Sequence, residues 1–324
     1  MSHYITVPIN ENGIITDDHI QQEVFIACAP RFGTTDVFLY SHGWWTTAIR
    51  ALTQYNRFST EFSDKALEIA ALNPPPLPNL PAKAFGIGLH WPSTISEDPS
   101  SPADFAEVTT FYTMEKRADT IGEHGLYSIL RMVIEANQNA NTPLRFHLLG
   151  HSFGCKVVCS ALQAIATDAL KNIITTALDI NVVLLQAAFQ NDAMEDGEDY
   201  ECVPSDKLDA RVLVTRSTLD KALGTQFPLA QTINIFGKNK DRVALGFGGP
   251  SDGTKAKFGG CAELTVAPGF AHGNFNAQGQ RLVCADITPI HEANTSYPVD
   301  GFSGHHSDIN IPELYELIAA FLFQ

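Results

Sequence analysis

The pentapeptide Gly150-His151-Ser152-Phe153-Gly154 stands between two apolar runs of different period. Before it lies Leu144-Arg-Phe-His-Leu-Leu149, of strand length; after it, Lys156-Val-Val-Cys-Ser-Ala-Leu-Gln-Ala-Ile-Ala166 has helical spacing. Strand, sharp turn and helix are the setting that gives Gly-x-Ser-x-Gly its meaning. So tight a turn forces Ser152 into an unfavourable backbone conformation, and flanking glycines, lacking a Cβ, let strand and helix close around it. The hydroxyl is then held at the carboxyl edge of a sheet, beside the free N–H groups and positive dipole end of a helix. That geometry suits a nucleophile; the plain alternative is a Gly-rich strand-to-helix turn. A second match, Gly249-Pro250-Ser251-Asp252-Gly253, follows no strand and leads into Thr254-Lys-Ala-Lys-Phe-Gly-Gly260, which has no helical period. The Pro beside its serine also fixes φ and removes an N–H. Ser152 is the candidate.

Around this turn the chain alternates. Strand-length runs fall at about 4–9, 22–28, 36–41, 84–90, 143–149, 181–188, 211–216 and 281–287. Helical patterns occupy about 46–72, 104–137 (strained at Gly122 and Gly125), 153–169 and 311–323. The first strands have no helix between them, as in hairpins or an antiparallel edge. From residue 36 onward, strand and helix alternate, which predicts a mostly parallel sheet of about eight strands with helices on both faces. Residues 224–280 hold no long periodic segment and read as an irregular excursion beside the site. The whole of 1–324 reads as a single α/β domain.

Composition narrows the partners. With 36 acidic against 21 basic residues the net charge is −15, so the long-range field repels nucleic acid and anionic membranes. Acidity is densest in Asn191-Asp-Ala-Met-Glu-Asp-Gly-Glu-Asp-Tyr-Glu201, a surface loop. The longest apolar stretch, Ile173 to Phe189, is broken by Asp179 and Asn181 and is too short to span a bilayer. No basic-then-apolar leader is present, so the expected compartment is cytoplasmic. The six cysteines form no C-x-x-C pair and read as free thiols. Cys155 and Cys159, one turn apart, are too few ligands for a metal. Gly246-Phe-Gly248-Gly249 lacks the spacing of a dinucleotide site.

Taken with the order of these segments, the chain resembles the α/β-hydrolase fold superfamily, in particular its serine esterase and lipase-like members, from the Phe38 strand to the terminal helix. That resemblance implies nucleophile, acid and histidine in this chain order. The nucleophile position falls on Ser152. Val37-Phe-Leu-Tyr40 running into Ser41-His42-Gly43-Trp44-Trp45 matches the superfamily's His-Gly turn, which implies oxyanion donors at the backbone N–H of Trp44 and of Phe153. Trp45 and His42 fall at the substrate pocket, although His42 reads equally as a capping or core histidine. The acid is expected after the strand Val212-Leu-Val-Thr-Arg-Ser217, at Asp220; an N-cap is its alternative role, and Asp241 and Asp286 are rivals. The base is expected in Gly304-His305-His306-Ser307-Asp308, at His306 rather than His305. Hydrolysis of a small-molecule carboxylic ester with a small or medium acyl group is then implied, without metal or organic cofactor. Thioester cleavage, acyl transfer or a silent binding role on the same fold are the alternatives. The short acidic segment 189–210 departs from members that carry a large apolar lid there.

Overall fold

A computed structural model describes residues 4–29, 32–72, 77–94, 107–137, 144–174, 178–228, 243–295 and 303–324. The strands are β1 Tyr4–Pro8, β2 Asp36–Ser41, β3 Ala84–His90, β4 Arg145–His151, β5 Asp179–Leu185, β6 Arg211–Arg216, β7 Ala262–Thr265 and β8 Leu282–Asp286. They form one sheet in the order β1-β3-β2-β4-β5-β6-β8-β7, and every neighbouring pair is parallel. The helices are α1 Asp18–Ala27, α2 Ala48–Ala70, α3 Glu107–Thr120, α4 Tyr127–Asn137, α5 Gly154–Leu170, α6 Leu245–Gly248, α7 Asp252–Lys257, α8 Thr288–Ala293 and α9 Pro312–Phe323.

Successive strand residues point to opposite faces, so a strand covered on both sides is apolar along its middle, with any buried polar residue needing a partner. β2 is buried at all six positions, and it divides accordingly. Val37 and Leu39 join Leu148, Val182 and Val212 beneath α1, α3, α4 and α5. Phe38 and Tyr40 join Leu149, Val183 and Leu213 beneath α2 and α9. Helices therefore lie on both faces, as the sequence predicts. Between α3 and α4 the chain widens into a π-helical turn, Ile121–Leu126, containing both Gly122 and Gly125. A Cβ on Gly122 would lie 2.4 Å from the Val157 carbonyl oxygen of α5, so only glycine permits this helix contact. The widened turn is the strain that the sequence predicts in this segment.

Four expectations change. Residues 22–28 form no strand: they end α1, because Asp17 caps the backbone N–H groups of His19 and Ile20 and Val24 turns inward with helical spacing. The first strands are accordingly not a hairpin or antiparallel edge; α1 carries the chain over, and β1 pairs parallel with β3. The eighth strand lies instead in the segment read as irregular, where the four-residue β7 is too short to show a period and closes the sheet beside β8. The acidic segment is only partly a solvated loop, since Ala193, Met194 and Tyr200 anchor it in the core. Among the described residues no helix is long and apolar enough to cross a membrane, and all six cysteines are free, four of them buried.

Candidate active site

With all strands parallel, their carboxyl ends share one edge, and the site is built there. β4, between β2 and β5, ends at His151, and the chain turns at Ser152 into α5. Ser152 has φ +56°, a left-handed conformation that a side chain adopts only when its surroundings enforce it. They do so here. Its N–H donates to the Leu185 carbonyl at 3.0 Å, and its carbonyl accepts from Cys155 at 3.1 Å and Ala188 at 3.3 Å. A Cβ on Gly150 would lie 2.6 Å from the Cys155 nitrogen, and one on Gly154 would lie 2.1 Å from the Ser41 carbonyl oxygen. Both glycines are obligatory for this turn. Gly43 after β2 is as tightly placed, since a Cβ there would lie 2.8 Å from that of Ser152.

The segment after β6 carries Asp220, and the segment before α9 carries His306. An isolated antiparallel bridge between Asp220 and Gly304 brings the two segments together. His306 Nδ1 lies 2.6 Å from Asp220 Oδ2, and His306 Nε2 lies 2.8 Å from Ser152 Oγ. A hydroxyl, an imidazole and a carboxylate thus form one continuous hydrogen-bonded chain. Asp220 is fully buried and held from two sides: Gln186 Nε2 donates to Oδ2 at 3.0 Å, and the Leu223 N–H donates to Oδ1 at 2.9 Å. The carboxylate can therefore neither turn nor swing away. Capping at Leu223 is real, but it occurs alongside the contact with His306.

The rivals lie elsewhere. His305 is turned to Asp308, with Nδ1 2.8 Å from Oδ2. Asp286 pairs with Arg216 at 2.8 Å, and Asp241 falls outside the described residues. Ser251 is the N-cap of α7, accepting from the Thr254 N–H at 3.0 Å and donating to Glu195 at 2.5 Å. Its pentapeptide does lead into a helix, contrary to the period read from the sequence, but α7 is only six residues long and no strand precedes it. Its φ of −63° is relaxed.

The backbone N–H groups of Trp44 and Phe153 donate to no described residue. The Phe153 N–H opens α5, where the helix leaves its first donors free. Ser152 and His306 line a cavity of about 280 Å³ together with Trp44, Trp45, Phe111 and Phe227. Trp44 stacks on Trp45 at 5.0 Å and on Phe153 at 5.9 Å, forming a continuous aromatic wall. Leu223, just before the segment read as irregular, and Phe227, within it, also line the cavity. His42 does not reach this cavity. It is fully buried, stacked on Trp91 at 5.1 Å, with Nδ1 2.9 Å from the Gly43 carbonyl, and burial pushes its pKa down to about 3. It is a core histidine beneath the turn, the alternative its position allowed.

Two neighbours were not singled out from the sequence. His151, the variable residue before Ser152, donates from Nε2 to the His306 carbonyl at 2.8 Å. Burial, and then the neighbouring His306, push its pKa down to about 3, so it stays neutral. Gln186, at φ +46° just past β5, bridges Asp220 and the His305 carbonyl, each at 3.0 Å. No motif marks either residue; the only signal available was a polar residue at the carboxyl end of an otherwise apolar strand.

Residues 36–241 match the model of a family described as alpha/beta hydrolase of unknown function (DUF900). The match begins with β2 and takes in Ser152 and Asp220, while His306 lies beyond it. Comparison with curated proteins gives no match. The family match spans more than half of the chain, and the parallel sheet with helices on both faces agrees with it. The chain belongs to this DUF900 family of alpha/beta hydrolases.

Proposed function

We propose that the protein is a serine hydrolase that cleaves a carboxylic ester with a small or medium acyl group through an acyl-enzyme. The observation that carries this reading is the hydrogen-bonded chain from Asp220 through His306 to Ser152, opening on a cavity. His306 Nε2 takes the hydroxyl proton as Ser152 Oγ attacks the ester carbonyl carbon. Asp220, fixed by Gln186 and Leu223, holds the imidazole in the tautomer with its proton on Nδ1 and stabilises the imidazolium that forms.

The carbonyl oxygen becomes negative in the tetrahedral intermediate. The N–H groups of Trp44 and Phe153, which donate to no described residue, serve as its donors, and preorganised donors of this kind are worth roughly 3–4 kcal/mol each. Collapse breaks the bond to the alcohol oxygen, which receives the proton from His306. Water then enters, His306 takes its proton, and the hydroxide releases the acid from Ser152. The test is labelling with a fluorophosphonate followed by peptide mapping. Labelling of Ser152, lost in Ser152→Ala, together with turnover of an activated ester, supports the reading. A folded protein that neither reacts at Ser152 nor turns over any ester is a silent member of the fold.

A further inference from the structure

We infer that Arg50 is the specificity residue of this cavity and selects esters that carry a carboxylate; the inference rests on the hydrolase reading above. Arg50 lies in the first turn of α2, just after the Gly43-Trp44-Trp45 turn, and lines the same cavity as Ser152 and His306. It is exposed, and its guanidinium makes no ion pair or hydrogen bond with any described residue. Every other described arginine is engaged. Arg57, Arg131, Arg145, Arg216 and Arg281 pair with carboxylates, while Arg117 and Arg211 donate to backbone carbonyls. In a chain with 36 acidic residues, a solitary arginine facing a cavity is conspicuous.

Among the described residues the cavity lining contains no aspartate or glutamate, and Arg50 is the one fixed charge among them. The positive end of α2, 23 residues long, adds to the field at the same place. The overall charge of −15 repels anions at a distance, but screening over about 8 Å at physiological salt leaves local charges to decide what binds. A second observation points to a polar ligand. Gln54, one turn further along the same face of α2, also lines the cavity, and its side-chain oxygen is buried without a hydrogen-bond partner among the described residues. A hydroxyl or amide N–H beside the substrate's carboxylate would satisfy it. Two polar groups four residues apart thus line a cavity that also holds the rings of Trp44, Trp45, Phe111, Phe153 and Phe227, an arrangement that orients one charged end of a small ester.

The carboxylate could belong to the acyl half or to the alcohol half, and two substrate pairs separate these. The first is p-nitrophenyl hemiglutarate against p-nitrophenyl pentanoate; the second is 4-acetoxybenzoate against 4-acetoxybenzamide. The readout is the ratio of kcat/KM, anionic over neutral, within each pair. In the wild type one ratio should reach about tenfold, the scale of a charge-assisted contact at a part-exposed site. Arg50→Gln should bring that ratio to about one, and Arg50→Glu should invert it, with the change mainly in KM. The pair that responds identifies the half carrying the charge. Neutral esters turned over with no charge preference, or a preference that survives Arg50→Gln, overturns the role of Arg50 alone. No turnover of any ester together with no labelling of Ser152 overturns the hydrolase reading and this inference with it.

Discussion

His151 Nε2–H donates to the His306 backbone carbonyl at 2.8 Å, so the residue preceding Ser152 also holds the loop whose imidazole reaches Ser152. The two rings lie 5.1 Å apart. Burial and the neighbouring His306 hold the pKa of His151 down to about 3, so at neutral pH this ring is a neutral hydrogen-bond donor. His151→Phe should preserve the ring volume and remove the donor, freeing the His306 loop. A net hydrogen bond of about 1 kcal/mol gives a fall in kcat of about fivefold, with KM nearly unchanged. His151→Gln, which retains a donor, should recover most of the loss. Equal kinetics for His151→Phe and wild type would remove the positioning role.

The two serine motifs separate by what each loses. Ser152→Ala should abolish ester turnover and leave the melting temperature close to wild type, because the hydroxyl lies at the cavity rather than in the core. The left-handed φ of Ser152 sets a further expectation: Ser152→Gly should be more stable than Ser152→Ala by about 1 kcal/mol, since glycine meets no steric penalty there. Ser251→Ala should behave in the opposite way. It removes the N-cap of α7, costing about 1 kcal/mol, while turnover persists. Turnover lost with Ser251→Ala and kept with Ser152→Ala would exchange the roles of the two motifs.

Much of this arrangement was legible in the sequence, for a physical reason. Strands buried on both faces need unbroken apolar runs, and the turn at Ser152 needs glycine on each side, so both leave local signatures. The pairing of Asp220 with His306 is not local: 86 residues separate them, and the order of segments was the only guide. Where the reading failed, tertiary contacts decided. Val24-Phe-Ile-Ala27 looks like a strand but is governed by the Asp17 cap, and β7 exists because β8 offers it an edge. Arg50 and Gln54 carry no motif at all, because a cavity wall is assembled from separate segments and has no period.

Protons should weaken the fold in mildly acidic solution. His42 and His151 are both held near pKa 3 in the folded chain, against about 6.5 when unfolded. The unfolded chain therefore binds more protons as pH falls below about 6.5, and the stability present above that value is lost progressively toward the folded values. At pH 5 the loss is about 2 kcal/mol for each histidine. Denaturant unfolding at pH 7.5 and pH 5 measures it. His151→Gln, which cannot titrate, should show a visibly smaller loss, and an unchanged slope in that variant would sever His151 from the effect.

Acyl length should be limited by the aromatic wall. Trp44, Trp45, Phe111 and Phe227 border a cavity of about 280 Å³, so the space beside Ser152 is apolar but finite. Each methylene that enters it should add about 0.8 kcal/mol to binding, close to a fourfold gain in kcat/KM. That gain ends when the cavity is full, because further carbons remain in water and must still be accommodated. We therefore expect kcat/KM for p-nitrophenyl esters to rise from acetyl to butyryl and to be far lower for palmitoyl. Trp45→Ala should move the maximum to longer chains by removing one indole from the wall. A wild-type maximum at twelve carbons or more would mean that the chain leaves this cavity along a path the aromatic residues do not close.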